Sequence, residues 1–332
     1  MTGAYSAPDA AADSNIRAVS VLRTVARAKV NLTLEIRGRR PDGYHELESL
    51  TAFTRFGDTL EFRAGQPFSL QVDGPFASSI AGGNLVQRAA ELYVQYANAR
   101  EAADALTTGE GVLPIASGIF RLDKQIPVAA GLGGGSADAA AALRLLSGLA
   151  DGAAALSDVG APSPSSAPFA LLPLARELGA DVPVCLFSKP AIMTGIGEQM
   201  RFLTDFPAIP VLLVNPRLPL ATADVFRELR AKPLSGAIDQ SPPLAALNGI
   251  DEVVSYAAAR SNDLEAPAKR LLPVIGTMLE ALASCPGALL ARLSGSGPTC
   301  FALFRTESEL ETAALQVSEA HPEWWVKATT LG

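Results

Sequence analysis

Residues Pro127-Val-Ala-Ala-Gly-Leu-Gly-Gly-Gly-Ser-Ala-Asp-Ala-Ala140 have the composition of a ligand cradle. Gly131, Gly133, Gly134 and Gly135 bury no side chain and each adds chain entropy to lose on folding. What they offer is unusual torsions and bare N–H groups that a ligand can approach closely. The run opens onto Ala139-Ala-Ala-Ala-Leu-Arg-Leu-Leu146, a strong helix former. A glycine loop feeding a helix N-terminus favours phosphate, because its amides converge there and the helix dipole attracts negative charge. Neither common phosphate motif fits. The loop ends Gly135-Ser136-Ala137 with no lysine, and the third glycine of a dinucleotide fingerprint is replaced by Ser136. A plain surface turn capped by Ser136 remains the alternative reading of the loop alone.

Four other places carry side chains of interest. Lys29 and Asn31 share one face of an alternating segment, Thr24 to Gly38, with Cα atoms about 6.6 Å apart; Val30, Leu32, Leu34 and Ile36 take the other face. That pattern predicts a half-buried strand, and the Lys29 face is otherwise read as solvated. Pro41-Asp-Gly43 makes a turn that leads straight into Tyr44-His45, which can stack on and hydrogen-bond a flat ring or anchor the turn. Asp181 lies between Ala180 and Val182-Pro-Val184. It is a candidate general base or a turn residue; in apolar surroundings a carboxylate stays ionised only beside a cation. Ser294-Gly-Ser-Gly297 is a second glycine turn, either a support for the first or a hairpin turn.

The elements that must position these residues follow from periodicity. Leu50 to Arg63 reads as strand with a break at Gly57-Asp58, Asn84 to Ala99 as an amphipathic helix, and Gly118 to Ile126 as the strand before the loop. Leu171 to Leu178 is a helix stopped by Gly179. Val211 to Val214 is a short buried strand, Leu264 to Ala283 two helical pieces around Pro273, and Ala288 to Leu293 and Thr299 to Phe304 are strands around the second glycine turn. Residues 151–169, Ala/Ser/Pro-rich, and 231–249 read as loops. The mixture predicts an α+β fold with largely antiparallel sheet and a weak boundary near 190–210.

Composition narrows the function. The chain has 332 residues, 48% of them hydrophobic and 18% charged, which suits an enzyme with a sizeable core. A net charge of −7 without any Lys/Arg block argues against nucleic-acid binding. Cys185, Cys285 and Cys300 follow no paired spacing, which favours a reducing, cytoplasmic setting without disulfides or structural zinc. No apolar run is long enough to span a membrane.

Order and spacing make these signals specific. Ala28-Lys-Val-Asn-Leu32, Arg40-Pro-Asp-Gly-Tyr-His-Glu-Leu47, Pro127 to Ala140, Leu178-Gly-Ala-Asp-Val-Pro183 and Leu293-Ser-Gly-Ser-Gly297 together resemble the GHMP kinase superfamily, from about Ala26 to the C-terminus. The Lys-x-Asn strand joined to the Asp-Gly-Tyr-His turn points to its branch acting on a cytidine diphosphate sugar alcohol. The resemblance implies a two-lobed fold: a disordered tail over 1–22, a ribosomal-protein-S5-like domain over 23–200 and a ferredoxin-like domain over 201–332. It implies ATP with Mg²⁺ and no protein residue assigned to a resident metal. ATP would meet Pro127, Val128, Ala129, Ala130, Gly131, Leu132, Gly133, Gly134, Gly135, Ser136 and Ala137. Asp181 would be the general base and Lys29 its cationic partner. Asn31, Tyr44, His45, Thr222 and Phe226 would hold the substrate, with Tyr44 and Phe226 sandwiching cytosine. The expected partner is a small molecule, not nucleic acid or membrane, and the expected assembly a monomer or weak homodimer. A mevalonate- or homoserine-kinase-like enzyme is the nearest rival; a non-catalytic nucleotide-binding module is the rival from another class. The Tyr44-His45 turn counts against the first, and the presence of both Lys29 and Asp181 against the second.

Overall fold

The computed structural model describes residues 21–65, 67–80, 82–108, 118–150, 167–234 and 247–332. Most of the expected tail, of the 151–169 stretch and of the 231–249 loop lies outside the described residues. In chain order the elements are β1 (Val21–Asn31), β2 (Glu35–Arg39), β3 (His45–Ala64), β4 (Ser69–Asp73), α1 (Leu85–Thr108), β5 (Gly118–Asp123), α2 (Gly134–Ala150), α3 (Ala167–Ala170), α4 (Leu172–Leu178) and α5 (Val182–Phe187). There follow β6 (Ala191–Gly195), β7 (Gln199–Phe202), β8 (Ile209–Asn215), α6 (Thr222–Leu229), α7 (Ile250–Ala258), α8 (Glu265–Leu271), α9 (Val274–Ala283), β9 (Leu290–Leu293), β10 (Cys300–Leu303), α10 (Glu307–Ala320) and β11 (Trp325–Leu331). The strands join into one sheet with β3 as its spine, and only the β4–β5 pair is parallel. The α+β, largely antiparallel expectation holds.

β3 departs from the sequence reading in an instructive way. The expected break at Gly57-Asp58 is absent, and the strand runs unbroken for 20 residues. The irregularity sits just beyond Gly57 in β3 itself: between the Arg27–Gly57 and Lys29–Phe53 pairs β1 passes one residue and β3 three, so residues 54–56 bulge. A Cβ on Gly57 would lie 2.2 Å from the Ala26 carbonyl oxygen, so glycine is what lets β1 approach there. A bulge in β3 at this point changes which of its residues lie opposite β1 from Lys29 onward. β1 itself starts at Val21, with Leu22 buried, so ordered strand reaches two residues into the expected tail.

Three apolar clusters surround the sheet. One lies between it and α1, α2, α4 and α5, centred on Phe53, Phe62, Phe120 and Leu143. A second joins β8, β9 and β10 to α6, α8, α9 and α10. The third lies between the lobes, where Val30, Leu32 and Leu50 meet Leu213, Phe301 and Leu331. β11, which periodicity did not single out, pairs all along β8 and touches β3 at Leu331–Thr54. Its lead-in helix α10 starts on a capping box, Thr306 with Glu309.

Arg144 of α2 is a buried guanidinium without an acidic partner among the described residues. It donates to the carbonyls of Cys185 (2.8 Å) and Leu186 (3.4 Å) at the end of α5, and of Val25 (3.3 Å) on β1. Burial lowers its pKa to about 10, so it remains a cation at neutral pH. It therefore ties α5, α2 and β1 together through the α5 carbonyls that have no helical partner. Arg144→Met, which keeps the apolar stem but strands these acceptors, is expected to lower the unfolding free energy by about 3 kcal/mol in urea titrations.

Candidate active site

A cleft of about 1030 Å³ opens between the lobes. Its walls include Lys29, Asn31, Tyr44, His45, the glycine loop, Asp181, Thr222, Phe226 and Ser296. Residues expected from distant parts of the chain thus converge on one space.

The glycine loop is pinned from three sides. Leu132 and Ala130 drop apolar pegs into the interlobe core, and Ala137 is buried against α2's neighbours. Leu132 and Ala137 present no side chain to the cleft, so any contact they make with a ligand is through backbone. The Leu132 carbonyl accepts from Lys29 N at 2.8 Å, which lays the loop along β1. The second glycine turn buttresses it: Ser294 Oγ donates to the Gly131 carbonyl at 3.0 Å, and Thr299 N to the Ala130 carbonyl at 3.1 Å. Gly131 has φ +74° and Gly133 φ +62°, and a Cβ on Gly131 would sit 2.4 Å from the Ser294 carbonyl oxygen. That turn is both the hairpin connection of β9 and β10 and the support of the first loop. The first helical bond of α2 runs from Ala137 N to the Gly133 carbonyl, leaving the Gly134, Gly135 and Ser136 amides directed out of the helix start. This is the anion geometry expected from the sequence.

Beneath Gly133 lies Lys29. The face read as a solvated alternative is buried: Lys29, Asn31 and Thr33 are each under 5% exposed. The loops of both lobes fold over that face, a tertiary effect that strand alternation does not record. Lys29 Nζ meets Asp181 Oδ1 at 2.6 Å, with the lysine side chain 5% exposed and the carboxylate 40%. Asp181 sits at the start of α5 but caps no helical amide, and among the described residues its carboxylate is bonded to Lys29 alone. Cys185, one turn on, is inert: burial, with Asp181 nearby, pushes its thiol up to about 12. Asn31 Nδ2 donates to Ser49 Oγ (2.7 Å) and Thr51 Oγ1 (3.2 Å), and Asn31 N donates to Ser294 Oγ.

The opposite rim is aromatic. His45 and Phe226 face each other with ring centroids 4.8 Å apart and planes at 35°. Tyr44 lies beside them and is 58% exposed. The ring directly against Phe226 is therefore His45; Tyr44, the last residue before β3, also lines the cleft. Thr222 and Phe226 stand one turn apart on α6, and Thr222 Oγ1 is 2.8 Å from Ser296 Oγ, which ties α6 to the second glycine turn. Burial, reinforced by Arg39, lowers the His45 pKa, so the ring is neutral at pH 7 and offers one donor and one acceptor.

Sequence reasoning passed over a buried charge cluster behind the loop. Lys124 Nζ bonds Asp58 Oδ2 (2.5 Å) and Asp138 Oδ2 (2.8 Å), all three side chains under 5% exposed. Asp58 also accepts from Gln125 N (2.6 Å) and Ile126 N (2.8 Å). Asp138 lies within the glycine motif and Lys124 just ahead of it, but nothing in their spacing revealed Asp58 as the third member.

Comparison with known proteins follows the same division of the chain. The profile for the GHMP kinases N terminal domain matches residues 84–189, and that for the GHMP kinases C terminal matches 245–323. A 4-diphosphocytidyl-2-C-methyl-D-erythritol kinase of Rhodopseudomonas palustris (strain BisB18) is 47% identical, covering 96% of this chain and 98% of its own. The chain belongs to the GHMP kinases, in the branch of the 4-diphosphocytidyl-2-C-methyl-D-erythritol kinases. A second member of that branch, from Parvibaculum lavamentivorans, is 43% identical over 92% of this chain and 97% of its own. A crystal structure titled as a 4-(cytidine 5'-diphospho)-2C-methyl-D-erythritol kinase superposes with TM-score 0.68 at 32% identity, covering 94% of this chain and 99% of that one. The two-lobed α+β fold is thus the GHMP kinase fold.

The charge cluster makes stability depend on pH. Asp58 has three donors and Asp138 one, and burial pushes the Asp138 carboxyl up to about 8 from an ordinary 3.8. Between those values the unfolded chain has released a proton that the folded one keeps, so stability falls as pH rises from about 4 to 8. Asp138→Asn removes this contribution; melting curves across that range are expected to slope less steeply than those of the native chain.

Proposed function

We propose that the chain is an ATP-dependent kinase that phosphorylates the 2-hydroxyl of 4-diphosphocytidyl-2-C-methyl-D-erythritol, releasing ADP, in the non-mevalonate route to isoprenoid precursors. The observation that carries it is the position of the Lys29–Asp181 pair, at the floor of a cleft with a phosphate-type loop on one side and an aromatic rim on the other. Relatives named for this activity, matched over nearly the full chain, support the substrate.

Phosphoryl transfer asks the protein for alignment and charge stabilisation more than for covalent chemistry. The amides of Gly134, Gly135 and Ser136 would take the phosphates of ATP. The loop lacks a lysine, and Lys29 stands under Gly133, where a Cβ would touch its stem at 3.3 Å. Lys29 pairs with Asp181 at 2.6 Å and holds positive charge beside the transferring group. The half-exposed Asp181 carboxylate accepts the proton of a tertiary alcohol as its oxygen attacks. Such an alcohol is a weak nucleophile, which is where a positioned base helps. Asn31, its nitrogen already committed to Ser49 and Thr51, presents its oxygen for a substrate hydroxyl. Cytosine would lie at the Tyr44, His45 and Phe226 rim, its edge read by neutral His45; Thr222 borders it.

Among the described residues no group of three His, Cys, Asp or Glu side chains could hold a metal. That fits Mg²⁺ carried in on the nucleotide, which keeps most of its waters. It would neutralise β- and γ-phosphate charge, and Ser136 and Asp181 on the cleft wall are the residues whose oxygens would help hold it. No helix among the described residues is long and apolar enough to cross a membrane. Three free, buried thiols suit a reducing compartment such as the cytoplasm.

Incubation with Mg-ATP and the cytidine-diphospho-methylerythritol substrate is expected to yield ADP and the 2-phosphate; folded protein giving no ADP above background refutes the assignment. Asp181→Asn should lower kcat by about 10²–10⁴-fold. Because burial and Arg39 lower the His45 pKa, the acceptor KM is expected to stay flat down through the ordinary imidazole range and to rise only below it, as the ring gains a proton and loses its acceptor. His45→Gln, which does not titrate, should abolish that rise.

A further inference from the structure

The buried Asp58–Lys124–Asp138 chain has no part in the chemistry described above, yet its contacts bracket the nucleotide loop, and Lys124 and Asp138 reach the cleft wall. Asp58 lies on the spine strand β3. Its Oδ1 accepts from Gln125 N and Ile126 N, the two residues immediately before Pro127. Its Oδ2 accepts from Lys124 Nζ, which reaches on to Asp138 Oδ2 in the first turns of α2, just past the loop. Helical side chains lean towards the N-terminus, so the Asp138 carboxylate lies back under the helix start. The ammonium is there too: a Cβ on Gly134 would be 3.0 Å from Lys124 Nζ. The beginning and the end of the segment 127–133 are therefore held by one charge-assisted network anchored in the sheet.

Two features mark this network as more than ordinary packing. It places a lysine beside the positive end of a helix, an arrangement that is unfavourable without compensating carboxylates. It also leaves Asp138 Oδ1 buried without a hydrogen-bond partner among the described residues. A buried orphan acceptor is normally costly. An apolar residue at 138 would avoid that cost but would release the only side-chain tie between Lys124 and α2 among the described residues.

We propose that Asp138 and Asp58, acting through Lys124, are positioning residues for ATP: they fix the separation between the Gln125–Ile126 segment and the α2 N-terminus, and so the spread of the amides that meet the phosphates. This rests on the kinase reading of the cleft. None of the three groups touches the acceptor's aromatic rim, so their influence falls on one substrate only.

The test is Asp138→Ala in the full chain, which leaves the Lys124–Asp58 pair intact. KM for ATP should rise about 10- to 100-fold, as for a lost charge-assisted hydrogen bond, while KM for the acceptor stays within about twofold. Asp138→Asn, which retains an oxygen for Lys124, should recover most of the loss. Without any ligand, amide hydrogen exchange over 127–137 should be faster in Asp138→Ala and unchanged in β8. A folded Asp138→Ala protein with native ATP KM and native loop exchange overturns the proposal, as does an equal rise in both KM values. Should that variant not fold, Asp58→Asn loosens the other end and must show the same split between the two KM values. A native chain that turns over no substrate would sink the kinase reading instead, and the exchange data would still decide the role of Asp138.

Discussion

A single contact, Lys29 Nζ to Asp181 Oδ1 at 2.6 Å, organises the molecule around it. The two residues are 152 positions apart, one on the central sheet and one at the tip of a six-residue helix. Bringing them together requires the β3 bulge beside Gly57, the glycine loop laid over the lysine stem, and α5 held in place from behind by Arg144. A buried lysine is tolerated because its charge is met, and a carboxylate at 40% exposure can stay ionised and still reach a ligand. Remove any of these supports and the pair loses either its distance or its access.

The site is accordingly built from pieces that each satisfy their own physics first. The glycine loop is nailed down by Ala130 and Leu132, so its backbone is left to meet the ligand. The second glycine turn supplies a hydroxyl and an amide to fasten the first. Arg144 donates to α5 carbonyls that have no helical partner, sharing that of Cys185 with the Ser188 hydroxyl. Lys124 joins the carboxyl groups of Asp58 and Asp138 behind the loop. The lobes meet through a shared apolar cluster, so the cleft is not a gap between independent bodies but the lining of a common core. Positioned groups on packed elements are what phosphoryl transfer needs.

Much of this was legible in the chain. The loop, the Lys29–Asn31 strand, the Tyr44-His45 turn and Asp181 all stand out by residue type and local spacing. What local spacing misreported has a common cause: burial imposed by segments far away in sequence. Alternation gave β1 a wet face because it cannot see the loop that covers Lys29. Gly57-Asp58 looked like a strand break because Gly and Asp are turn residues; here Gly57 lets the β1 backbone approach closely beside the β3 bulge, and Asp58 is a buried acceptor. Asp58, Lys124 and Arg144 gave no periodic signal, since each earns its place through partners 14 to 119 positions distant. The capping box at Thr306–Glu309 was a readable signal for α10 that strand and loop patterns overshadowed.

The central claim is that Lys29 and Asp181 act as one unit. A double-mutant cycle on kcat for phosphoryl transfer, using Lys29→Met, Asp181→Asn and the pair together, tests it most directly. Groups that act together are grossly non-additive. The double variant should be about as slow as the slower single variant. Losses that multiply across the cycle would mean the two residues act independently, and would contradict the account.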